Sequence, residues 1–360
     1  MRVTSCAAAV AVVAGLLLAS GAQAADLSPE LKKVVEAANK EKTLRLSWGA
    51  STLDGANGVK IISEAMRKAF GTNLDFKYSP STGSMSTVGS RILTEAKAGR
   101  PAHTDVFISA TTFAARFADD GLYQAVDWKP LLPGRITDDM VEADGTLIRF
   151  VSFVAGVTYN TKLIPNPPNT VEGWLRPDLK GKIATSPAVA GFDVLAASDF
   201  WGREKALDFS RRFSAQLGGI MRCGEMNRIA SGEFQALMFD CGANDTIQMK
   251  ASGAPVDQIV PLDFVQLRFF HLGVPKNSEN PNAAKAFITF MLTQEGQRLA
   301  WQLWGTDLHS LEGTETKKQV DALRAQGATP RALDVKWTKE HPEINEAREQ
   351  ILKILRVSER

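Results

Sequence analysis

Histidine, tyrosine and cysteine are scarce in this chain, with four, three and three copies among 360 residues. His103, His271, His309 and His341 stand far apart, with no HExxH and no close pair, so a histidine-built metal site has no local support. The cysteines form none of the short paired spacings of a zinc ribbon. Charge of one sign is also missing: 42 lysines and arginines face 40 acidic residues, without a polybasic block, which leaves no electrostatic footprint for nucleic acid. There is no GxSxG elbow, no P-loop and no dinucleotide-type glycine pattern after a strand. These absences remove the local signals of covalent hydrolysis and of nucleotide or metal cofactors, and no cofactor is expected.

No apolar run reaches the ~20 residues that a helix needs to cross a bilayer. The most apolar stretch, Ala7 to Ala19, follows Arg2 and precedes the small residues of AQA at Ala22 to Ala24. That order reads as a cleaved secretory signal over 1–24, and it predicts a soluble protein of the periplasm. Cys6 leaves with the signal, so two cysteines remain, Cys223 and Cys241. In an oxidising compartment an even pair is expected to close a disulfide; the alternative is two buried thiols acting as small hydrophobes.

What the chain does contain is an alternation of strand and helix periods. A helical candidate at Pro29 to Lys40 precedes TLRLSW, where Leu44, Leu46 and Trp48 alternate with polar neighbours. After a turn-rich loop, Val59, Ile62, Met66 and Phe70 recur at helical spacing. NLDFKY repeats the strand pattern, Met85, Val88, Ile92 and Ala96 mark another helix, and TDVFISA is a third strand. Such alternation predicts an α/β domain with a largely parallel sheet. The apolar passage LIRFVSFVAGVTYNTKLI carries the chain into a second lobe at 153–265, and QIVPLDFVQLRFFHLGVPK carries it back. The first lobe is then 25–152 with 266–360, including an amphipathic tail packed on the body of the protein.

Two loops carry the chemistry. SPSTGSMSTVGSRI places Ser81, Thr82, Gly83 and Ser84 between a strand and a helix, and GASTLDGANG places Ser51 and Thr52 in the same setting. Hydroxyls and free backbone donors at a helix start suit an incoming anion, and ligands of open α/β sheets sit beyond such strand ends. Helix capping alone is the competing reading of either loop.

The ordered series LRLSWGAS, SPSTGSMSTV, TDVFISA, FVAGVTYNTKLI, GWLRPDLKGKIATSPAV and LGVPKNSENPNAAKAFITFMLTQEGQ resembles the periplasmic solute-binding proteins of ABC importers. It is most similar to the group that contains ferric-ion, polyamine and phosphonate binders, whose SPEGQ-like helix ending TQEGQ resembles. The resemblance implies an α/β, two-lobed periplasmic-binding-protein fold with a ligand cleft between the lobes and two crossing segments. It implies a monomeric receptor, not an enzyme, that binds a small-molecule solute and presents it to an inner-membrane permease. Family-like binding positions fall on Ser51, Thr52, Ser81, Thr82 and Gly83, and on Thr185, Ser186, Asn244 and Asp245 across the cleft. Tyr159 and Asn160 match a recurring YNT feature near the crossing, and Arg268 offers a bidentate match to an anion. Ferric members use adjacent tyrosines, whereas this chain reads CGANDTIQ there. A polyamine site would draw on Asp193, Asp245, Trp301 and Trp304. The expected solute is therefore an organic carboxylate or phosphonate, with iron, a polyamine or a periplasmic hydrolase as alternatives.

Overall fold

In the computed structural model, residues 27–357 are described, except 223 and 241. The signal segment and the cysteine pair lie outside the described residues. Among the described residues, no helix is long and apolar enough to cross a membrane.

Twelve strands are used below: β1 (Thr43–Leu46), β2 (Asp75–Tyr78), β3 (Phe107–Ala110), β4 (Val141–Glu142), β5 (Leu147–Val154) and β6 (Val157–Asn160), followed by β7 (Ile183–Thr185), β8 (Leu217–Ile220), β9 (Ala236–Met238), β10 (Val256–Ile259), β11 (Gln266–Gly273) and β12 (Arg331–Ala332). In the first lobe β2 pairs parallel with β1, a bridge from Leu46 to Val106 leads to β3, and β3 pairs antiparallel with β11. β5 covers the other edge of β11, and β4 closes on β5. In the second lobe the order is β10-β6-β9-β7-β8, with β6 antiparallel to both neighbours and β7 parallel to β8 and β9.

Local chemistry explains the helices that carry these sheets. Pro29 opens the helix Pro29–Glu41, where its missing N–H costs nothing, and Ser28 Oγ accepts from the Leu31 N–H at 3.0 Å. The expected face of Val59, Ile62, Met66 and Phe70 is buried along the helix Gly55–Phe70. In the second lobe Phe192 lies 5.0 Å from Phe213 and 4.8 Å from Phe239, centroid to centroid, which seals the short helices onto the sheet. Each such buried aromatic contributes roughly 1.5–3 kcal/mol through lost apolar exposure.

The chain passes between lobes at Ala155–Gly156 and through residues 260–265. It also passes a third time. β12 pairs with β11, and the helix Val335–Glu340 packs on the first-lobe helix Thr111–Asp119. The last helix, Glu343–Ile354, packs on Phe192–Leu195 and Arg203–Ser214 of the second lobe. Ala347, Ile351 and Leu355 join the second-lobe core. The assignment of all of 266–360 to the first lobe therefore fails for this helix, because its apolar stripe completes a core on the other side. Its separation from the helix before it falls at Pro342.

Candidate functional site

β1, β2 and β3 all end at the side of the first lobe that faces the second, so the loops after them share one rim. The Trp48 carbonyl ties two of these loops together: it accepts from the Ser81 N–H and from the Tyr78 hydroxyl, each at 2.9 Å. As a result Thr52, Ser81 and Gly83 line one recess of about 40 Å3 with Ser47, Trp48, Met85 and Phe107. A Cβ at Gly83 would stand 3.0 Å from the exposed Thr87 side chain, so any larger residue there must push Thr87 aside. The first loop is held in an unusual shape, with Leu53 at φ 51° and Asp54 at φ 56°, both left-handed without being glycine. Such conformations cost of order 1–3 kcal/mol each and concentrate where a loop is held for binding.

The hydroxyls of the second loop are less free than the sequence suggests. Ser84 Oγ accepts from the Thr87 N–H at 3.2 Å as the N-cap of the helix Met85–Lys97, and Ser81 Oγ accepts from the Gly83 N–H at 3.3 Å. Ser84 thus does the work of a cap. Thr82 is exposed beside it.

Ser51, Asn244 and Asp245 meet across the lobes. With Asp54, Asn57, Gln248, Gln302 and Trp304 they bound a cavity of about 430 Å3. Burial pushes the Asp245 carboxyl pKa up and the Asp240 charge adds to this, against a hydrogen bond from the Gly224 N–H. Half-buried Phe153 and Phe270 extend from the crossing toward this cavity, with ring centroids 5.7 Å apart and Phe270 4.9 Å from Trp304.

The floor between the lobes is polar. Asp240, fully buried, accepts from the Gly156 and Gly242 N–H groups, the Thr158 hydroxyl and the Gln258 amide at 2.8–3.0 Å. Thr185 and Ser186 end the neighbouring strand, and both hydroxyls are buried without a hydrogen-bond partner. Arg268 donates through Nε to Gln266 Oε1 at 3.0 Å. Among the described residues its terminal nitrogens are in ion-pair contact with no carboxylate. Burial is the largest influence on it and lowers its pKa, opposed by the charges of Asp193 and Asp240.

Tyr159 is set apart from these groups. It packs on the second-lobe core, and burial raises its phenol pKa with the Asp257 charge adding to the effect. Asn160 Nδ2 donates to the Ile229 carbonyl at 2.9 Å, and its Oδ1 accepts from the Lys162 N–H at 3.0 Å, so the YNT feature builds a turn. Trp48, Phe153, Gln266 and Phe270 were not expected as site residues; only the apolar crossings pointed near the last three.

A cleft between two α/β lobes, rimmed by strand-end loops and floored by buried donors, is the arrangement of a solute receptor rather than of a catalytic centre. The chain belongs to the bacterial extracellular solute-binding protein family, whose profile matches residues 65–324. Its relatives are solute-binding receptors of ABC importers with varied ligands, which implies a small-molecule ligand and a membrane permease as partners. The fold is similar to a substrate-binding protein of an ABC transporter from Agrobacterium tumefaciens, with TM-score 0.68, 18% identity, and coverage of 89% of this chain and 97% of that one. It is similar to AgtB of A. tumefaciens R10 in complex with agropinic acid, with TM-score 0.65, 16% identity, and coverage of 87% and 98%. Iron-bound HitA of Pseudomonas aeruginosa follows at TM-score 0.64, 17% identity, and coverage of 87% and 99%.

Proposed function

We propose that this receptor works in the periplasm after loss of its signal segment, capturing a small organic anion, a carboxylate or phosphonate, for an inner-membrane permease. The observation that carries this reading is Arg268: a guanidinium at the crossing between lobes, with its terminal nitrogens outside any ion pair among the described residues and its Nε held by Gln266. Arg268 is half-buried, so its free guanidinium edge is open to the cleft and able to pair with an incoming anion. In this reading Thr185 and Ser186 receive the anion from the second lobe, with Arg268 below. Ser51, Thr52, Ser81, Thr82 and Gly83 face the solute from the first lobe, and Asn244 and Asp245 close the rim. AgtB's agropinic acid complex agrees with an organic acid.

HitA's iron is the competing precedent. A ferric site of the tyrosine type would need free phenolates. Tyr78 donates its hydroxyl to the Trp48 carbonyl, Tyr123 is buried beside Ser109, and Tyr159 lies by Asp257 and Lys250. Tyr78 is committed at the loop rim, and Tyr123 and Tyr159 line neither the recess nor the cavity described above.

Binding drives closure only to the extent that the solute prefers the closed form. Native mass spectrometry of protein purified from its source, with calorimetric rebinding of the released compound, tests the assignment. An organic acid that rebinds supports it; one-to-one retained iron overturns it. Cys223 and Cys241 are proposed to be oxidised to a disulfide, which thiol titration under denaturing conditions checks.

A further inference from the structure

We infer that the cavity between the lobes reads hydroxyl groups, and that the solute is a polyhydroxylated acid of the sugar-acid type. This rests on the anion reading above and narrows it: the charge is met at Arg268, and the hydroxylated body of the molecule in the cavity of about 430 Å3. A space of that size lies within the roughly 300–1,000 Å3 of small-molecule sites. Its wall repeats one arrangement on both lobes. On the first lobe Asn57 Nδ2 donates to Asp54 Oδ2, and on the second Asn244 Nδ2 donates to Asp245 Oδ1 at 3.1 Å. The lobes already meet beside these pairs, since a Cβ on Gly305 would stand 3.1 Å from the Asn244 Cα. Asp54 and Asn57 are exposed and Asn244 and Asp245 half-buried, so each pair has open space before it.

The hydrogen-bonding capacity of these groups decides the class of solute. In each pair the carboxylate and the amide oxygen keep lone pairs to accept with, and the amide keeps one hydrogen to donate, even though Asp245 also holds the Gly224 N–H. Gln302 gives its Oε1 to Arg298 Nη1 at 2.9 Å, which leaves its NH2 as a donor, and the Gln248 amide is uncommitted among the described residues. An acid group offers acceptors only and would face Asp54 and Asp245, with no lysine or arginine among the described residues of the wall to offset them. An ammonium offers donors only and would leave the amide hydrogens of Gln248 and Gln302 facing it. A hydroxyl donates once and accepts twice, so adjacent hydroxyls meet carboxylate, amide oxygen and amide hydrogen in turn. Buried Leu303 and Trp304 supply an apolar strip of the wall for the C–H side of such a molecule. Phe270, two positions from Arg268 on the same face of β11, carries that strip toward the guanidinium, its ring 4.9 Å from that of Trp304.

The purified full chain is titrated calorimetrically with two matched pairs, gluconate against hexanoate and glucuronate against cyclohexanecarboxylate, and with glucitol as an uncharged polyol. Within each pair the charge is the same and the hydroxyls differ. The expected result is a preference of at least about tenfold for a hydroxylated acid over its partner, because a site that pairs hydroxyls rejects analogues lacking them. Gln248→Ala and Gln302→Ala, one from each lobe and both exposed on helices, should each weaken the hydroxylated acid about three- to tenfold with the unliganded melting temperature retained. Equal or tighter binding of hexanoate and cyclohexanecarboxylate overturns the inference and leaves the anion reading standing. So does wild-type affinity for the hydroxylated acid in both variants. Glucitol bound as tightly as gluconate supports the hydroxyl-reading cavity and removes the anion reading. No response to any hydroxylated probe overturns the inference too, and iron or spermidine retained stoichiometrically in that case removes the anion reading with it.

Discussion

Arg348 reaches from the last helix to Asp193 in the second lobe, with Nε 2.8 Å from Oδ2, and so fastens the end of the chain beside the floor of the cleft. Asp193 is almost wholly buried, whereas the Arg348 side chain is 38% exposed. The pair therefore matters mainly for what its loss would leave behind, a desolvated carboxylate with only backbone donors.

Arg348→Ala is expected to lower stability by about 1–3 kcal/mol, the cost of stranding a buried polar partner, reduced here by solvent access to the arginine. Chemical denaturation measures it. The double variant Arg348→Met with Asp193→Asn should recover part of the loss. Equal stability of Arg348→Ala and wild type would show that the last helix is held by Ala347, Ile351 and Leu355 alone.

Asp240 organises the crossing by collecting four donors from three segments. Asp240→Asn turns one acceptor oxygen into an NH2 that faces donors, so at least about 2 kcal/mol of stability should be lost. The crossing should also loosen, read as faster amide exchange at Gly156 and Gly242. Unchanged exchange there would mean that Gly156 and Gly242 are held by the surrounding strands.

Much of this arrangement was legible from residue order. Period-two runs marked β1, which buries one face, and β2, where Phe76 and Tyr78 are half-buried between exposed neighbours; a compact apolar run marked β3, buried on both faces, and the buried Val59, Ile62, Met66 and Phe70 stripe marked its helix. The first loop was found through composition, since turn residues between a strand and a helix leave few other placements. Ser84 was misleading: capping and ligand binding use the same side chain, and only the Thr87 N–H shows which is satisfied. The Gln266 contact to Arg268 was invisible because it lies inside an apolar passage that periodicity reads as plain strand. The lobe of the last helix was equally hidden, because an amphipathic stripe states that it needs a partner without saying which.

Burial, with the nearby Arg149 charge adding to it, pushes the His309 pKa down to about 4. An unfolded histidine titrates near ~6.5. The folded state therefore resists a proton that the unfolded chain accepts, and the neutral ring's contribution is complete above pH ~6.5 and is lost as pH falls toward about 4. Between pH 7 and pH 5 the loss should approach ~2 kcal/mol. Denaturation at pH 7 and pH 5 measures it, and His309→Gln should flatten the difference. An unchanged slope in that variant would assign the pH dependence to other groups.

Gly305 ends the helix Gln294–Trp304 in a left-handed turn at φ 70°, and a Cβ there would stand 3.1 Å from the Asn244 Cα of the opposite lobe. The lobes thus touch through a position with no side chain. Asn is the residue best able to keep the left-handed turn, so Gly305→Asn changes the contact more than the helix end. Its side chain meets Asn244 only when the lobes are together, and overpacking of that kind costs about 1–3 kcal/mol. The closed population should fall accordingly, weakening solute affinity by roughly 5- to 150-fold while thermal stability of the unliganded protein changes little. Small-angle scattering should show larger dimensions than wild type at the same solute saturation. Wild-type affinity with wild-type dimensions would mean that the approach of Gly305 to Asn244 is no part of the ligand-bound state, and that closure brings the lobes together elsewhere.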